Sequence, residues 1–370
     1  MSRSVTLFAL FVLTLGTHQT VAATKYAVGT CEPKLTSFST IQAALSATPA
    51  PTIVEVCPGT YPEQVVITQG VTLEGVSSGT SDQAIIAAPA AGLVQNATTD
   101  FAGQLLAVQL WVNNATGPVT ITNITVDATG NRVSGNTFIV GVFFQNSAGT
   151  LKEVTTRNQE GNGFGTGVWL EGGSTNPSIT VNKCSIHDFD SDGIETETNS
   201  SSSELSATLT DNNIISGIVF NDAVDVGISE GSTVTATNNV LSAINISTNG
   251  AYDELTTYGF DTGSGATGSL SGNVVTNTQI GIFAGADNVS ITSNKLLNTK
   301  TGISMKSAVA TIQNNTISNA GTGIQLSCGA DNNVSSNTIS DAVTGLSTVP
   351  TGFTASNTFF NVGTISSGGC

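Results

Sequence analysis

Asn294-Lys295-Leu296-Leu297-Asn298-Thr299-Lys300-Thr301-Gly302-Ile303 is answered by Asn315-Thr316-Ile317-Ser318-Asn319-Ala320-Gly321-Thr322-Gly323-Ile324. The shared phrase is Asn, any residue, an apolar residue, and then Gly followed by an apolar residue. It recurs as Asn273–Val275 with Gly281–Ile282 and as Asn337–Ile339 with Gly345–Leu346, so the asparagines stand 21, 21 and 22 residues apart. A fixed period of this size marks a solenoid, in which each repeat buries its apolar edge only against its neighbours. Repeats rich in Val, Ile, Thr, Asn and Gly and poor in helix formers predict three-strand coils of a parallel β-helix. The asparagines read as turn and stacking residues, because Asn tolerates left-handed backbone and its amide can hydrogen-bond from coil to coil.

Upstream, the Gly-apolar step continues as Gly141–Val142, Gly167–Val168, Gly193–Ile194, Gly227–Ile228 and Gly259–Phe260, with Asn182, Asn213 and Asn239 as the matching Asn step. These coils are longer, and their extra residues fall in 196–204, 220–225 and 249–257. Insertions in solenoids map to loops, often on the binding face. The regular coils over 263–349 therefore read as structural and the irregular coils over 91–262 as functional. Ser39-Thr40-Ile41-Gln42 reads as a capping box, with Ile41, Ala44 and Leu45 on one helical face. The helix it predicts, about residues 38–47, would plug the N-terminal end, and entry coils would complete 24–90. Residues 350–370 would cover the C-terminal edge.

Val5–Leu15 is an apolar run after Arg3, and small residues follow at Val21-Ala22-Ala23. This predicts a signal peptide over 1–23 and a secreted mature chain, since eleven apolar residues are too few to span a bilayer. Without it, nine basic residues face 26 acidic ones, a formal charge of −17. That excludes nucleic acid and anionic membranes as natural partners. The mature chain is expected to be monomeric. Five cysteines suit an oxidising compartment. Cys31 and Cys57 are expected to close a loop around the first helix and strand, and Cys328 with Cys370 to pin the tail. Cys184, two residues after Asn182, would fill an apolar slot as a buried core thiol.

Strand alternation places side chains. If the residue after each step glycine points inward, Phe143, Trp169, Glu195, Ser229 and Asp261 form one outward row, and Gln145, Glu171 and Glu197 a second. Aromatic rings beside carboxylates are what a polysaccharide groove needs: the rings offer apolar faces, and the acids offer hydrogen bonds or proton transfer. Phe143 and Trp169 are thus candidate stacking residues. Glu171, Glu195, Glu197 and Asp261 are candidate acid/base groups. Glu171 and Glu197 on adjacent coils suit a retaining pair, and Glu195 and Asp261, two coils apart, an inverting one. His187, the one histidine of the mature chain, sits among Asp188, Asp190 and Asp192 and is a further acid/base candidate. Arg157 and Lys183 are the nearest basic groups, as a lyase-type base or a carboxylate anchor. Asp190, Asp192 and Asp225 are candidate oxygen ligands for Ca²⁺ bridging an acidic sugar.

The chain resembles the pectin-lyase-like superfamily of right-handed parallel β-helix proteins. The resemblance rests on Ser39-Thr40-Ile41-Gln42-Ala43-Ala44, on Ile53-Val54-Glu55-Val56-Cys57-Pro58-Gly59-Thr60-Tyr61-Pro62-Glu63 and on Val71-Thr72-Leu73-Glu74-Gly75, which look like the entry coil of pectin methylesterases. The resemblance implies a right-handed coil and an exported carbohydrate-active protein. It does not carry over a catalytic motif. The esterase steps Asp-Phe-Ile-Phe-Gly and Leu-Gly-Arg-Pro-Trp are missing. So are the polygalacturonase steps Gly-His-Gly and Arg-Ile-Lys. Gly167-Val168-Trp169-Leu170-Glu171 echoes the lyase step Trp-Ile-Asp-His without its His. Two functions stay open: a polysaccharide-binding and -cleaving protein of lyase or hydrolase type, and a non-catalytic surface scaffold or adhesin.

Overall fold

The computed structural model describes residues 23–76, 83–100, 102–160, 163–173, 175–198, 204–216, 223–228, 231–243, 257–263, 265–285, 288–306, 309–330, 333–353 and 356–369. The expected signal peptide, Asp222, Ser229 and Cys370 lie outside these residues, as does part of each of the three insertions. The chain winds as a parallel β-helix with three strand stacks. The first stack includes Val71–Gly75, Val119–Thr122, Gly149–Lys152, Ser178–Asn182 and Leu205–Thr210. The second includes Thr125–Asp127, Thr155–Gln159, Ser185–Phe189, Asn213–Ser216 and Val240–Ala243. The third includes Leu105–Asn113, Phe138–Gln145, Gly165–Gly172, Asp192–Thr198, Ala223–Ile228, Thr257–Thr262 and Ile280–Ala284. From Lys295 onward the second and third stacks run as single long strands, the first being Lys295–Met305. Each coil turns Val, Ile and Leu inward, and they merge into one continuous apolar core from Tyr26 to Leu346.

Polar groups inside the turns are satisfied by a ladder of amides. Asn212, Asn239, Asn273, Asn294, Asn315, Asn337 and Asn357 stack in register. From Asn239 onward each Oδ1 accepts from both the backbone N–H and the Nδ2 of the asparagine one coil earlier. For Asn294 these bonds, from Asn273, are 3.0 and 2.9 Å. Each Nδ2 also donates to a strand carbonyl, as Asn294 does to Leu270 at 2.8 Å. The ladder holds Asn212 rather than Asn213, and Asn182 stands outside it, bonded to Thr210. Cys184 occupies the asparagine slot itself, its N–H donating to Asn212 Oδ1 at 2.9 Å. It is the buried core thiol expected, 3% exposed, and burial pushes it up to about 12. The left-handed backbone belongs to the residue before the ladder, such as Asn238, Ser293, Asn314 and Ser336. A second, exposed ladder links left-handed Asn277, Asn298 and Asn319.

Glycines mark the corner that splits each third-stack segment. A Cβ on Gly141, Gly167, Gly259, Gly281 or Gly302 would stand 2.6–2.8 Å from the carbonyl oxygen of the glycine one coil on. The last coil carries the exposed Ile365 in this slot, and two coils ahead of the regular ones break the pattern inside the stack. Strand register puts Asp225 between Gly193 and Gly259, and Gln109 in line with Gly141. Both are buried. Gln109 spends its amide on Asp127 O and on Gln159.

The N-terminal plug is shorter than expected, Ile41–Leu45, and its N-cap is Thr40, which accepts from Ala43 N–H. The expected capping box is not formed; the next free N–H groups, of Ile41 and Gln42, are taken by the carboxylate of Glu63. Gln42 turns away to bond both backbone groups of Val66. Cys31 and Cys57 form the expected disulfide. Cys328 is disulfide-bonded as well, and its expected partner Cys370 lies outside the described residues. The tail does not lie across the C-terminal edge: Thr358–Gly368 pairs in parallel with Thr338–Val349 and forms the last coil.

The ladder yields a stability test. Asn294→Ala leaves Asn273 N–H without its acceptor, removes one of the two acceptors of Asn273 Nδ2 and takes the amide donor from Leu270 O. Each such buried group costs about 1–3 kcal/mol, so a loss of roughly 3–5 kcal/mol is expected. Asn298→Ala in the exposed ladder should cost less than about 1 kcal/mol. Urea unfolding of both variants checks the contrast, and equal losses would refute the ladder's role.

Candidate functional site

The outward rows exist, with one slip. In the third stack Trp111, Phe143, Trp169, Glu195, Gly227, Asp261 and Phe283 stand in register, and Asn113, Gln145, Glu171 and Glu197 form the row beside them. Gly227 fills the position between Glu195 and Asp261 where Ser229 was expected. The cause is Asp225: it takes the corner slot, so Val226, not Ile228, aligns with the inward Ile194 and Phe260. Gly227 leaves a notch. A Cβ there would lie 2.0 Å from Glu195 Oε2, so the Glu195 carboxyl fills space that any other residue would take.

Phe143 and Trp169 do face outward, yet they are 0% and 3% exposed. They pack with Ala97, Leu106, Val108 and Val140 under a strap that includes residues 93–100 and 102–104. In the strap Ala97–Thr98 pairs antiparallel with Leu105–Leu106, the one antiparallel ladder among the described residues. Asn96 clamps it by bonding both backbone groups of Val108. Glu171 holds its other end. This fully buried carboxylate accepts from Asp100 N–H at 2.6 Å and from Gln145 Nε2 at 3.0 Å. The three expected ligand-facing residues Phe143, Trp169 and Glu171 are thus the strap's bed and anchor.

Beyond the strap the row opens. Asp192, Glu195 and Asp261 are half-buried, and Glu197 is 7% exposed and accepts from Trp169 Nε1 at 3.2 Å. Strand spacing sets Glu195 and Asp261 about 9–10 Å apart at the backbone, with the Gly227 notch between. Burial and mutual repulsion hold these acids protonated to higher pH. Burial, with Asp192, Glu197 and Asp261 nearby, raises Glu195 well above the usual carboxyl range. Burial and Glu171 push Glu197 up to about 7. Asp192 is pushed up to about 6, mainly by burial, although Ser191 Oγ donates to it at 2.6 Å. Burial raises Asp261 too, opposed by the charge of Lys306. Half-exposed Tyr258 and Phe283 meet edge to face at 6.1 Å, Phe283 in the row directly beside Asp261 and Tyr258 before the corner, in register with Val224 and Ile280. Tyr258, Phe283 and Lys306 escaped the sequence reading, though Phe283 occupies the same post-glycine slot as Phe143 and Trp169.

The remaining candidates sit elsewhere. His187 is on the second stack, paired through Nδ1 with Asp188 at 2.6 Å. Arg157, its neighbour one coil earlier, donates to Asp127 at 2.8 Å. Lys183 occupies a left-handed turn position before the second stack. Asp190 is buried and accepts from the N–H groups of Gly163 and Gly165, closing a turn. Asp225 is sealed inside, where burial raises it well above the usual carboxyl range, and its Oδ2 has no partner. Among the described residues no three His, Cys, Asp or Glu side chains are gathered as a metal ion requires, so the expected calcium set Asp190, Asp192 and Asp225 is not assembled. No helix among these residues is long and apolar enough to cross a membrane.

Comparison with known proteins fits this architecture. The family described as right handed beta helix region matches residues 280–366, the regular coils. The solved GH136 lacto-N-biosidase from Eubacterium ramulus superposes with a TM-score of 0.61 at 11% identity, over 92% of this chain and 68% of that one. The AlgE6 A-module, a mannuronan C-5 epimerase from Azotobacter vinelandii, gives 0.46 at 16% identity, over 89% and 94%. The alginate lyase from Paenibacillus sp. str. FPU-7 gives 0.46 at 11%, over 92% and 99%. No curated protein sequence matches the chain. At these identities the likeness is one of fold: the chain is a right-handed parallel β-helix, as its entry coil implied.

The raised carboxyls fix a sign for stability against pH. A folded chain that keeps protons the unfolded chain has released loses stability as pH rises from the unfolded values, near 4, through the folded ones. With Asp192 at about 6, Glu197 at about 7, and Glu195 and Asp225 also raised well above the usual carboxyl range, the decline sets in near pH 4 and runs through about pH 7. The melting temperature should be higher at pH 5 than at pH 8, and Asp225→Asn should narrow the gap. A melting temperature that rises over this range would contradict the assignment.

Proposed function

We propose that the chain cleaves a polysaccharide by general acid/base hydrolysis at the Glu195–Asp261 pair. The observation that carries the reading is geometric: two half-buried carboxyls flank the Gly227 notch, with Tyr258 and Phe283 beside them. Sugar rings present C–H faces that lie on aromatic rings, and their hydroxyls bond to carboxyls. The wide backbone separation leaves room for a water between carboxyl and sugar, the arrangement of inverting glycosidases. Glu195, held protonated, gives its proton to the glycosidic oxygen as the bond breaks. Asp261, whose carboxylate Lys306 favours, draws a proton from the attacking water. Burial, aided by the proximity of Asp192 and Glu197, keeps Glu195 protonated.

Purified protein would be given neutral and acidic polysaccharides, with reducing ends and unsaturated products measured separately. New reducing ends without unsaturated product are expected. Glu195→Gln and Asp261→Asn should each lower kcat at least 100-fold with little change in melting temperature. Gly227→Ala should lower kcat without unfolding the protein, since its Cβ displaces only the mobile end of Glu195. Unsaturated product would replace hydrolysis by elimination. No product from any substrate would favour the scaffold reading, for which the sealing of Phe143 and Trp169 under the strap already speaks.

A further inference from the structure

On the N-terminal side of the strap the same outer rows reopen as a separate cleft of about 400 Å³. It is lined by Gln95, Asn96, Thr98 and Asp100 from the strap and by Trp111, Asn113 and Gln145 from the strands. The volume falls in the range of small-molecule sites, roughly 300–1,000 Å³. Its chemistry differs from that of the acidic notch. Four of these seven side chains are carboxamides, and one is the half-buried indole of Trp111. The one charged group, Asp100, is spent within the protein: Oδ1 accepts from Gln145 Nε2 and Oδ2 from Asn146 Nδ2.

We propose that this cleft binds a neutral saccharide unit, with Trp111 as the aromatic platform and the Gln95 and Asn113 amides as hydroxyl partners. A carboxamide both donates and accepts, which matches a sugar hydroxyl that does the same. An indole supplies the flat apolar face that a pyranose ring's C–H groups cover. Lysine and arginine do not line the cleft, and the chain carries a formal charge of −16, so uronate sugars are disfavoured there. The walls are already in place. Trp111 stacks on Phe143 with ring centroids 6.4 Å apart and planes 12° from parallel. Asn96 is fixed to Val108, and Gln145 ties Thr98 to Glu171. A site whose walls are held by other bonds loses little freedom on binding. The choice of a saccharide rests on the carbohydrate reading above, while the cleft shares no lining residue with the Glu195–Asp261 notch.

Binding, not turnover, is the test. A panel of gluco-, galacto-, manno- and xylo-oligosaccharides, with oligogalacturonate as the acidic comparison, would be titrated calorimetrically into the full chain and into Glu195→Gln. At least one neutral oligosaccharide should bind both proteins with the same Kd, and oligogalacturonate should bind at least tenfold more weakly. Trp111→Ala should weaken binding at least tenfold, Trp111→Phe less, and Gln95→Ala or Asn113→Ala about threefold or more. Gln95 is exposed and its replacement leaves the fold intact, so loss there cannot be ascribed to unfolding. Absence of neutral-sugar binding, or binding indifferent to Trp111→Ala and Gln95→Ala, overturns the proposal. Binding with these features but no hydrolysis would leave the cleft standing and remove the catalytic reading. Hydrolysis lost in Glu195→Gln with no effect of the cleft variants would do the reverse.

Discussion

A stack of parallel coils must bury its turns as well as its strands, and buried backbone groups need partners. The asparagine ladder meets that constraint. Each amide serves the coil before it with its oxygen and a strand carbonyl with its nitrogen, so turn polarity is resolved by side chains rather than by water. Once the turns are fixed in register, the strands that leave them are fixed too, and the outer rows follow. The placement of Glu195 beside Gly227 and of Asp261 beyond it is thus a consequence of amides on the opposite side of the second-stack strands. Ahead of the ladder the slot is apolar, and Cys184 stands at the junction, its N–H bonded to the first amide.

The third stack carries what is not repetitive. Where the corner glycine is kept, the segment folds the same way from coil to coil. Where it is replaced ahead of the regular coils, by Gln109 and by Asp225, a buried polar side chain must be accommodated, and each of these replacements borders an opening in the outer face. Gln109 lies two residues before Trp111 and the neutral cleft. Asp225 lies two residues before Gly227 and the acidic notch. Between them the strap seals two ring-bearing positions, Phe143 and Trp169, and one carboxylate, Glu171. The apolar bed beneath it explains why the most aromatic stretch of the face is not the place where a ligand is met.

The period, the parallel coils, the N-terminal plug and the Cys31–Cys57 disulfide were all legible in the letters, because each follows from local spacing. Glu195 and Asp261 were legible as outward neighbours for the same reason. Ser229 was misplaced because the corner at Asp225 lacks its glycine, and Gly227, two residues on, supplied a false match. Trp111 was invisible because Gln109 hides the step that would have counted it. The burial of Phe143 and Trp169 could not be read from their strands at all. It depends on the strap, whose antiparallel pairing of Ala97–Thr98 with Leu105–Leu106 belongs to no repeat. Arg157 and His187 looked close in sequence to the acids, but a coil is long enough to put them on another stack.

The corner glycines and the ladder have a consequence for how such a chain changes length. Each regular coil hands identical groups upward and downward: an amide oxygen and nitrogen at one turn, and a carbonyl pressed against a bare Cα at the corner. Removing one whole period from Asn273 to Asn294 would rejoin like ends to like ends and leave no buried group orphaned. Removing a part of a coil that carries its asparagine and its corner glycine, without closing on the next pair, would break both handshakes at once. Length in this molecule is therefore quantised, and its natural unit of insertion, deletion or duplication is the coil.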